Sequence, residues 1–380
     1  MTRNSPKRSA LGHAAILTTT LALACSALDA GAAAASRRKP RPPPATEAIA
    51  DSAPDLVTYG RREDVMSFAA EVAARRGFEL AWLEGALSRA RYVPSVARYI
   101  MPPAIGTAKN WAAYRARFIE PVRIRAGVAF WRANEKWLAL AEETFGVPPE
   151  IVVGIIGVET IYGRQMGNFR VIDALATLAF DFPAGRSDRA AFFRDELENL
   201  FVLCQSEGTD PLALKGSYAG AIGLPQFMPS SFNRFAVDLD GDGRVDLHRS
   251  AADAIGSVAH FLAEHGWQRG LPSRFDVLPP NDPVERALML EPDILPQFSA
   301  PEFALHGAVL GEGGNEAPGV LALVELLNGE TAPSTFVAGT TNFYAITRYN
   351  RSSYYALAVI ELGEAVARLI ASRPEPSQGR

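Results

Sequence analysis

The stretch Ile151-Val152-Val153-Gly154-Ile155-Ile156-Gly157-Val158-Glu159-Thr160-Ile161-Tyr162-Gly163 is apolar nearly all round a helical wheel and carries a single carboxylate, Glu159. A surface helix shows one apolar stripe, whereas a helix apolar on every side belongs inside the molecule. Val147-Pro148-Pro149-Glu150 suits a helix start, because the first turn leaves its N–H groups unpaired and proline has none to lose. An acid there also complements the positive helix end. Glu159 is then a carboxylic acid among hydrocarbon, where the charged form is disfavoured and the pKa rises toward neutrality. A group that holds a proton near neutral pH and can donate it has the profile of a general acid. The same pattern also fits a structural glutamate satisfied by an arginine or a backbone group, or one turned to solvent at the helix end.

Outward from this helix the chain divides by texture. From Ser67 to about Phe145 apolar residues recur at helical spacings, as in Phe68, Val72, Phe78, Trp82, Leu83 and Leu87, with Pro94, Pro102, Pro103 and Pro121 separating elements. The expected organisation is a helical domain over 56–145 and a helical core over 146–266. Across 267–343 prolines and glycines become frequent and short β-prone runs appear, Phe275-Asp276-Val277-Leu278 and Ser334-Thr335-Phe336-Val337 among them. That segment reads as a small β-rich domain. A closing segment over 344–370, with a helix from about Ser353 to Leu369, completes the helical part before a tail over 371–380. The fold class is mainly α, of the α+β type.

The 380 residues, 48% hydrophobic and 21% charged, exclude a disordered tail or a collagen-like fibre. Beyond Cys25 the chain carries 35 Lys and Arg against 42 Asp and Glu, which leaves no electrostatic footprint for nucleic acid or an anionic membrane. Residues 1–25 read as a secretory signal, with Arg3, Lys7 and Arg8 ahead of an uncharged stretch from Ser9 to Ala24. Two exits are open: Leu21-Ala22-Leu23-Ala24-Cys25 resembles a bacterial lipobox, and the Ala-rich run from Ala30 to Ala35 offers ordinary signal-peptidase sites. Periplasmic location is expected, with anchoring to the outer membrane through Cys25 in the lipobox case. The linker over 26–55 contains Arg37-Arg38-Lys39-Pro40-Arg41-Pro42-Pro43-Pro44, a basic proline-rich spacer that cannot form a helix. Cys204 is then left without a pairing partner and reads as a core residue.

Three further regions carry chemistry. Lys215-Gly216-Ser217-Tyr218-Ala219-Gly220-Ala221-Ile222-Gly223-Leu224-Pro225-Gln226-Phe227-Met228-Pro229-Ser230-Ser231 is a loop whose glycines let backbone approach a ligand, with Ser217 and Gln226 able to hydrogen-bond amides and hydroxyls. Tyr344, Tyr349, Asn350, Tyr354 and Tyr355 cluster near the last helix, offering flat apolar faces with polar tips for sugar rings, or alternatively core packing. Asp238-Leu239-Asp240-Gly241-Asp242-Gly243-Arg244-Val245-Asp246 follows the start of an EF-hand loop, with acids at the first, third and fifth positions and the Arg244 carbonyl at the seventh. Arg249 stands where the bidentate glutamate of an EF-hand would be, so a strict EF-hand is excluded. An Asx-rich turn without metal is the alternative.

These residues, with Asp173-Ala174-Leu175-Ala176-Thr177-Leu178, Asp253-Ala254-Ile255-Gly256-Ser257-Val258-Ala259 and Ala345-Ile346-Thr347-Arg348-Tyr349-Asn350-Arg351-Ser352, closely resemble the membrane-bound lytic murein transglycosylase B family. The resemblance runs in register from about Ser67 to Leu369. It implies a lysozyme-like core flanked by a helical domain and a small β domain. It also implies cleavage of the β-1,4 bond between N-acetylmuramic acid and N-acetylglucosamine with a 1,6-anhydro product, Glu159 being the one acid and base. Ser217, Gln226, Tyr349, Asn350, Tyr355 and Tyr114 fall on substrate-cleft positions. Asp253 matches a later acid that closes a lengthened cation loop, which gives Asp238, Asp240, Asp242, Arg244 and Asp253 as the ligands of a structural Ca2+. No cofactor is required for the chemistry. The implied partners are peptidoglycan glycan strands, with cell-wall synthases a further expectation, and the chain is expected to act as a monomer. His260-Phe261 departs from the family's Asn-Tyr, which removes a tyrosine hydroxyl from the cleft. A hydrolytic muramidase and a non-catalytic murein-binding scaffold are the alternatives.

Overall fold

The computed structural model describes residues 57–60, 62–101, 109–185 and 187–372. The signal segment, Cys25, the proline-rich linker and Pro102-Pro103 lie outside the described residues, as do 373–380 of the tail. Six helices come first: α1 (Glu63–Arg76), α2 (Leu80–Leu87), α3 (Pro94–Tyr99), α4 (Trp111–Phe118), α5 (Pro121–Ala133) and α6 (Glu135–Phe145). The apolar stretch forms α7 (Pro149–Thr160), followed by strand β1 (Phe169–Arg170), α8 (Val171–Phe180), α9 (Ala190–Ser206), β2 (Lys215–Gly216), α10 (Pro229–Phe235) and α11 (Ala251–Glu264). Pro94, Pro121, Pro149 and Pro229 each occupy a first helical turn, so the prolines start helices.

Every residue of α7 from Ile151 to Val158 is buried, and α5, α6, α11 and the long α15 (Ser353–Ala371) pack around it. The closest approach is between α7 and α15, and glycines make it possible. A Cβ at Gly154 would lie 2.3 Å from the Val359 carbonyl oxygen, and one at Gly363 would lie 2.0 Å from that of Glu150. The buried residues of α1 to α3 belong to the same continuous core as those of α7 to α11. Cys204 is buried in this core, where desolvation pushes its thiol up to about 12, so it is an inert packing residue.

Between Trp267 and α14 (Thr341–Tyr349) lies a five-stranded antiparallel sheet: β3 (Arg274–Leu278), β4 (Phe298–Ser299), β5 (Val309–Leu310), β6 (Val320–Asn328) and β7 (Ala332–Gly339). Its spatial order is β4-β6-β7-β3-β5, with α12 (Pro283–Leu290) and α13 (Ala300–Leu305) inserted between strands. Along β6 the side chains alternate: Ala322, Val324 and Leu326 face the helical core, while Leu321 and Leu323 join a second core with Phe275, Met289 and Phe303. Two β-prone runs identified in the sequence are β3 and β7. The longest strand, β6, and the two inserted helices go beyond that reading. The tip of the β6–β7 hairpin reaches the helical part, where Ala112 N–H donates to the Asn328 side chain at 3.0 Å and Gly329 N–H to the Lys109 carbonyl at 2.9 Å. This contact fixes the start of α4. Among the described residues no helix is long and apolar enough to cross a membrane.

Candidate active site

Glu159 sits in the last turn of α7, which stops abruptly. Ile161 (φ 51°) and Tyr162 (φ 57°) both take the left-handed conformation, followed by Gly163 (φ 87°). Two successive non-glycine residues there are strained, and such strain clusters at functional sites. The Tyr162 ring offsets it by filling a slot between α5 and α7 that only glycines leave open: a Cβ at Gly127 or Gly157 would come within 2.4 or 2.5 Å of the phenol oxygen. The buried Thr160 hydroxyl secures the turn. It accepts from Gly163 N–H at 3.0 Å and donates to the Leu224 carbonyl at 2.9 Å, joining the acid-bearing helix to the glycine-rich loop.

Tyr355, in the first turn of α15, donates its hydroxyl hydrogen to Glu159 Oε1 at 2.7 Å. Burial pushes the Glu159 carboxyl up to about 7, and the Tyr355 hydrogen bond opposes this only in part. Neighbouring carboxylates contribute nothing among the described residues. Tyr349 and Tyr355 stack at 6.3 Å with an interplanar angle of 13°, and burial followed by the Glu159 charge keeps both phenols protonated well above their ordinary range. Tyr114 is held up to about 12 by burial and then by the same charge. Three neutral tyrosines therefore surround one protonatable acid. Tyr114 also stacks on Trp111 at 6.3 Å and meets Tyr354 edge-on at 5.9 Å, which builds an aromatic wall. The position of Trp111 three residues before Tyr114, on the same helical face, is the signal that sequence reading passed over.

The loop residues have more specific roles than a cleft assignment gives them. The Ser217 oxygen accepts from Ala221 N–H at 3.0 Å and shapes the loop from inside. Gln226 adopts φ 52°, and its amide nitrogen donates to the carbonyls of Gly223 (2.8 Å) and Met166 (3.3 Å), which leaves its amide oxygen to accept from a ligand N–H. Tyr349 gives its hydroxyl hydrogen to the Pro225 carbonyl, so it holds the loop beside α7. Asn350 caps the end of α14 next to this ring. Phe261, where the family resemblance implies tyrosine, is buried, packs at 4.8 Å on Tyr349 and stacks at 4.0 Å on His265. It is wall material behind the cleft. Tyr344 stands apart from these groups, beside Arg348.

The acidic loop brings together three of its expected ligands. Carboxylate oxygens of Asp238, Asp240 and Asp253 lie within 4.8 Å of one another. Asp242 lies outside that group and accepts from Arg244 N–H at 2.9 Å, a turn-forming role. Asp253 is buried and accepts from Leu239 N–H (3.1 Å) and Asp246 N–H (2.8 Å), two backbone groups of the acidic loop. Burial raises its pKa, and the nearby Asp240 and Asp238 charges add to the rise. Three hard oxygen donors that repel one another are a set a divalent cation fits.

One acid poised near neutrality, an aromatic wall and a loop offering amide groups define a lysozyme-like enzyme that cleaves glycosidic bonds. Residues 60–364 match the transglycosylase SLT domain family. The chain is 39% identical over 318 residues to membrane-bound lytic murein transglycosylase B of Escherichia coli (strain K12), covering 81% of this chain and 84% of that protein. The soluble lytic transglycosylase SltB1 of Pseudomonas aeruginosa superposes with a TM-score of 0.73 at 40% identity, covering 81% of this chain and all of that one. Escherichia coli Slt35, in a complex with calcium, gives 0.71 at 37% identity over 83% of this chain and 97% of that one. The chain belongs to the lytic transglycosylase family.

Proposed function

We propose that the protein cleaves the β-1,4 bond between N-acetylmuramic acid and N-acetylglucosamine in peptidoglycan by intramolecular transfer, with Glu159 as the only acid and base, in the turnover and remodelling of the cell wall. The observation that carries this is the Glu159 carboxyl held by the Tyr355 hydroxyl at 2.7 Å among neutral tyrosines, its pKa raised by burial to about 7 with no contribution from another carboxylate among the described residues. Hydrolytic glycosidases place a second carboxylate across the scissile bond as nucleophile or base. With one acid, the nucleophile comes from the substrate. Glu159 gives its proton to the leaving glycosidic oxygen and, once ionised, takes the proton of the muramic C6 hydroxyl as that oxygen bonds to C1. No water is consumed, the 1,6-anhydro ring closes, and Glu159 ends as it began. The acetamido group of the muramic ring is placed to stabilise the positive charge at C1, and the Gln226 amide oxygen suits an acetamido N–H. Tyr355 orients Glu159 through its hydrogen bond.

Mass analysis of muropeptides released from sacculi tests the reaction class. Anhydro-muropeptides, lighter by one water than hydrolysed ones, are expected; reducing-end products would establish a muramidase, and no release would leave a murein-binding scaffold.

Asp238, Asp240 and Asp253 are proposed to hold a structural Ca2+, with the Asp242 carboxylate and the Arg244 carbonyl as the further ligands that the family resemblance implies. The calcium complex of Slt35 supports this reading. At a hundredfold excess over Kd, binding to the native state adds about 2.7 kcal/mol, and Tm should rise by roughly 2–4 °C for each kcal/mol. Asp253→Asn should abolish the rise; an unchanged Tm on chelation and re-addition removes the metal. The chain is proposed to work in the periplasm as a monomer on glycan strands, anchored through Cys25 in the lipobox case and released where the signal is cut in the run from Ala30 to Ala35. Mass spectrometry of the mature N-terminus decides the anchor, and an unmodified terminus beyond Cys25 rules it out.

A further inference from the structure

The glycine-rich loop is tied to the acid-bearing helix α7 by Thr160 and to the end of α14 by Tyr349, and both ties act near Leu224 and Pro225. Its other side meets Asp246-Leu247-His248, the arm by which the acidic loop returns toward α11. Leu224 N–H donates to the Leu247 carbonyl at 2.8 Å. His248 Nε2 lies 2.8 Å from the Lys215 carbonyl. Lys215 and Leu224 are the two limbs of the loop that carries Ser217 and Gln226, so one short arm grips both. The approach is close enough that a Cβ at Gly223 would lie 2.3 Å from the Leu247 oxygen. Behind the arm is a cavity of about 320 Å3 lined by Leu203, Ile222, Phe232, Leu247 and His248 among others.

We infer that Asp246–His248 is a brace for the substrate loop and that His248 is a positioning residue, its ring N–H on the Lys215 carbonyl setting the first limb of the loop against the second. A carbonyl only accepts, so Nε2 carries the hydrogen, and a protonated ring keeps the same bond. The arm is itself fixed by the acidic loop, because Asp246 N–H rests on Asp253 and the Asp246 carboxylate accepts from His248 N–H at 2.9 Å. The acidic loop thus acts on substrate binding as well as on stability. This rests on the reading that the loop binds glycan.

The test compares wild type, His248→Ala, His248→Asn and His248→Gln as full chains, by steady-state kinetics on soluble glycan strands and by amide hydrogen exchange across residues 216–227. Glutamine can place a donor where Nε2 stands; asparagine is too short and serves as a second broken brace where alanine does not fold. The broken variants should raise KM about three- to tenfold, the worth of one net hydrogen bond, with kcat within about twofold. Their loop amides should exchange faster, and His248→Gln should restore both readouts. Unchanged KM and exchange in the broken variants overturn the inference, as does a rise in KM with no change in exchange. A wild type that fails to turn over glycan counts against the glycan reading instead, and exchange alone then decides the brace.

Discussion

Glu159→Gln will lower release of anhydro-muropeptides by at least about a hundred- to ten-thousandfold, the usual worth of a positioned acid or base, while the protein stays folded. Glutamine has nearly the same shape and its amide oxygen can accept the Tyr355 hydroxyl hydrogen, so the change removes the exchangeable proton and little else. In the proposed mechanism the same group gives the first proton and takes the second, so no later step should rescue the loss. Residual turnover within tenfold of wild type would move the acid elsewhere. In the wild type the acid form must be present, so turnover should fall as pH rises through about 7, where Glu159 loses its proton.

The same shift makes a stability prediction of opposite sense. The folded pKa of Glu159, about 7, lies above its ordinary value of 4.5, so its contribution to stability is fully present below about 4.5 and is lost as pH rises through about 7. Above that pH the protein holds a carboxylate charge in apolar surroundings. Glu159→Gln should therefore unfold at nearly the same temperature as wild type at pH 4.5 and at a higher temperature at pH 8, by a gain on the order of 1–3 kcal/mol. Equal melting at both pH values would mean that the carboxyl titrates normally.

What the sequence made legible follows from how local each signal is. The α7 stretch needs only its own composition, since an all-round apolar helix has one place to go, and the acid within it inherits its pKa from that burial. Strand β6 is equally apolar but is covered on both faces by two different cores, so its residues show no alternation to separate a strand from a helix. The contact between Tyr355 and Glu159 joins residues 196 apart, and nothing local encodes it; only the resemblance placed both in one cleft. Tyr349 shows the limit of that transfer. Its ring lies beside Tyr355, but its hydroxyl is spent on the Pro225 carbonyl, a partner that no motif announces. Asp242 likewise fits an acid pattern and serves a turn, because the loop needs its own N–H groups capped as well as a cation held.

Adding one methyl group where α7 meets α15 should be among the most damaging changes available to the fold. Alanine normally stabilises a helix relative to glycine by about 0.5–1 kcal/mol. Gly85→Ala in α2, where a Cβ meets nothing within 4 Å, should show that ordinary gain. Gly363→Ala places a Cβ 2.0 Å from the Glu150 carbonyl oxygen, and Gly154→Ala places one 2.3 Å from that of Val359. Both clashes are with backbone, which cannot rotate away as a side chain can, so the helices must separate, at a cost of about 3 kcal/mol or more. Urea unfolding of the three variants gives opposite signs from the same substitution; stabilisation of all three would mean that the helices do not touch as described. The consequence reaches the chemistry, because α7 carries Glu159 and α15 carries Tyr355. A shift of the helices by even part of an ångström stretches the 2.7 Å hydrogen bond that orients the acid. Any Gly363→Ala protein that does fold should therefore turn over more slowly than its remaining stability accounts for.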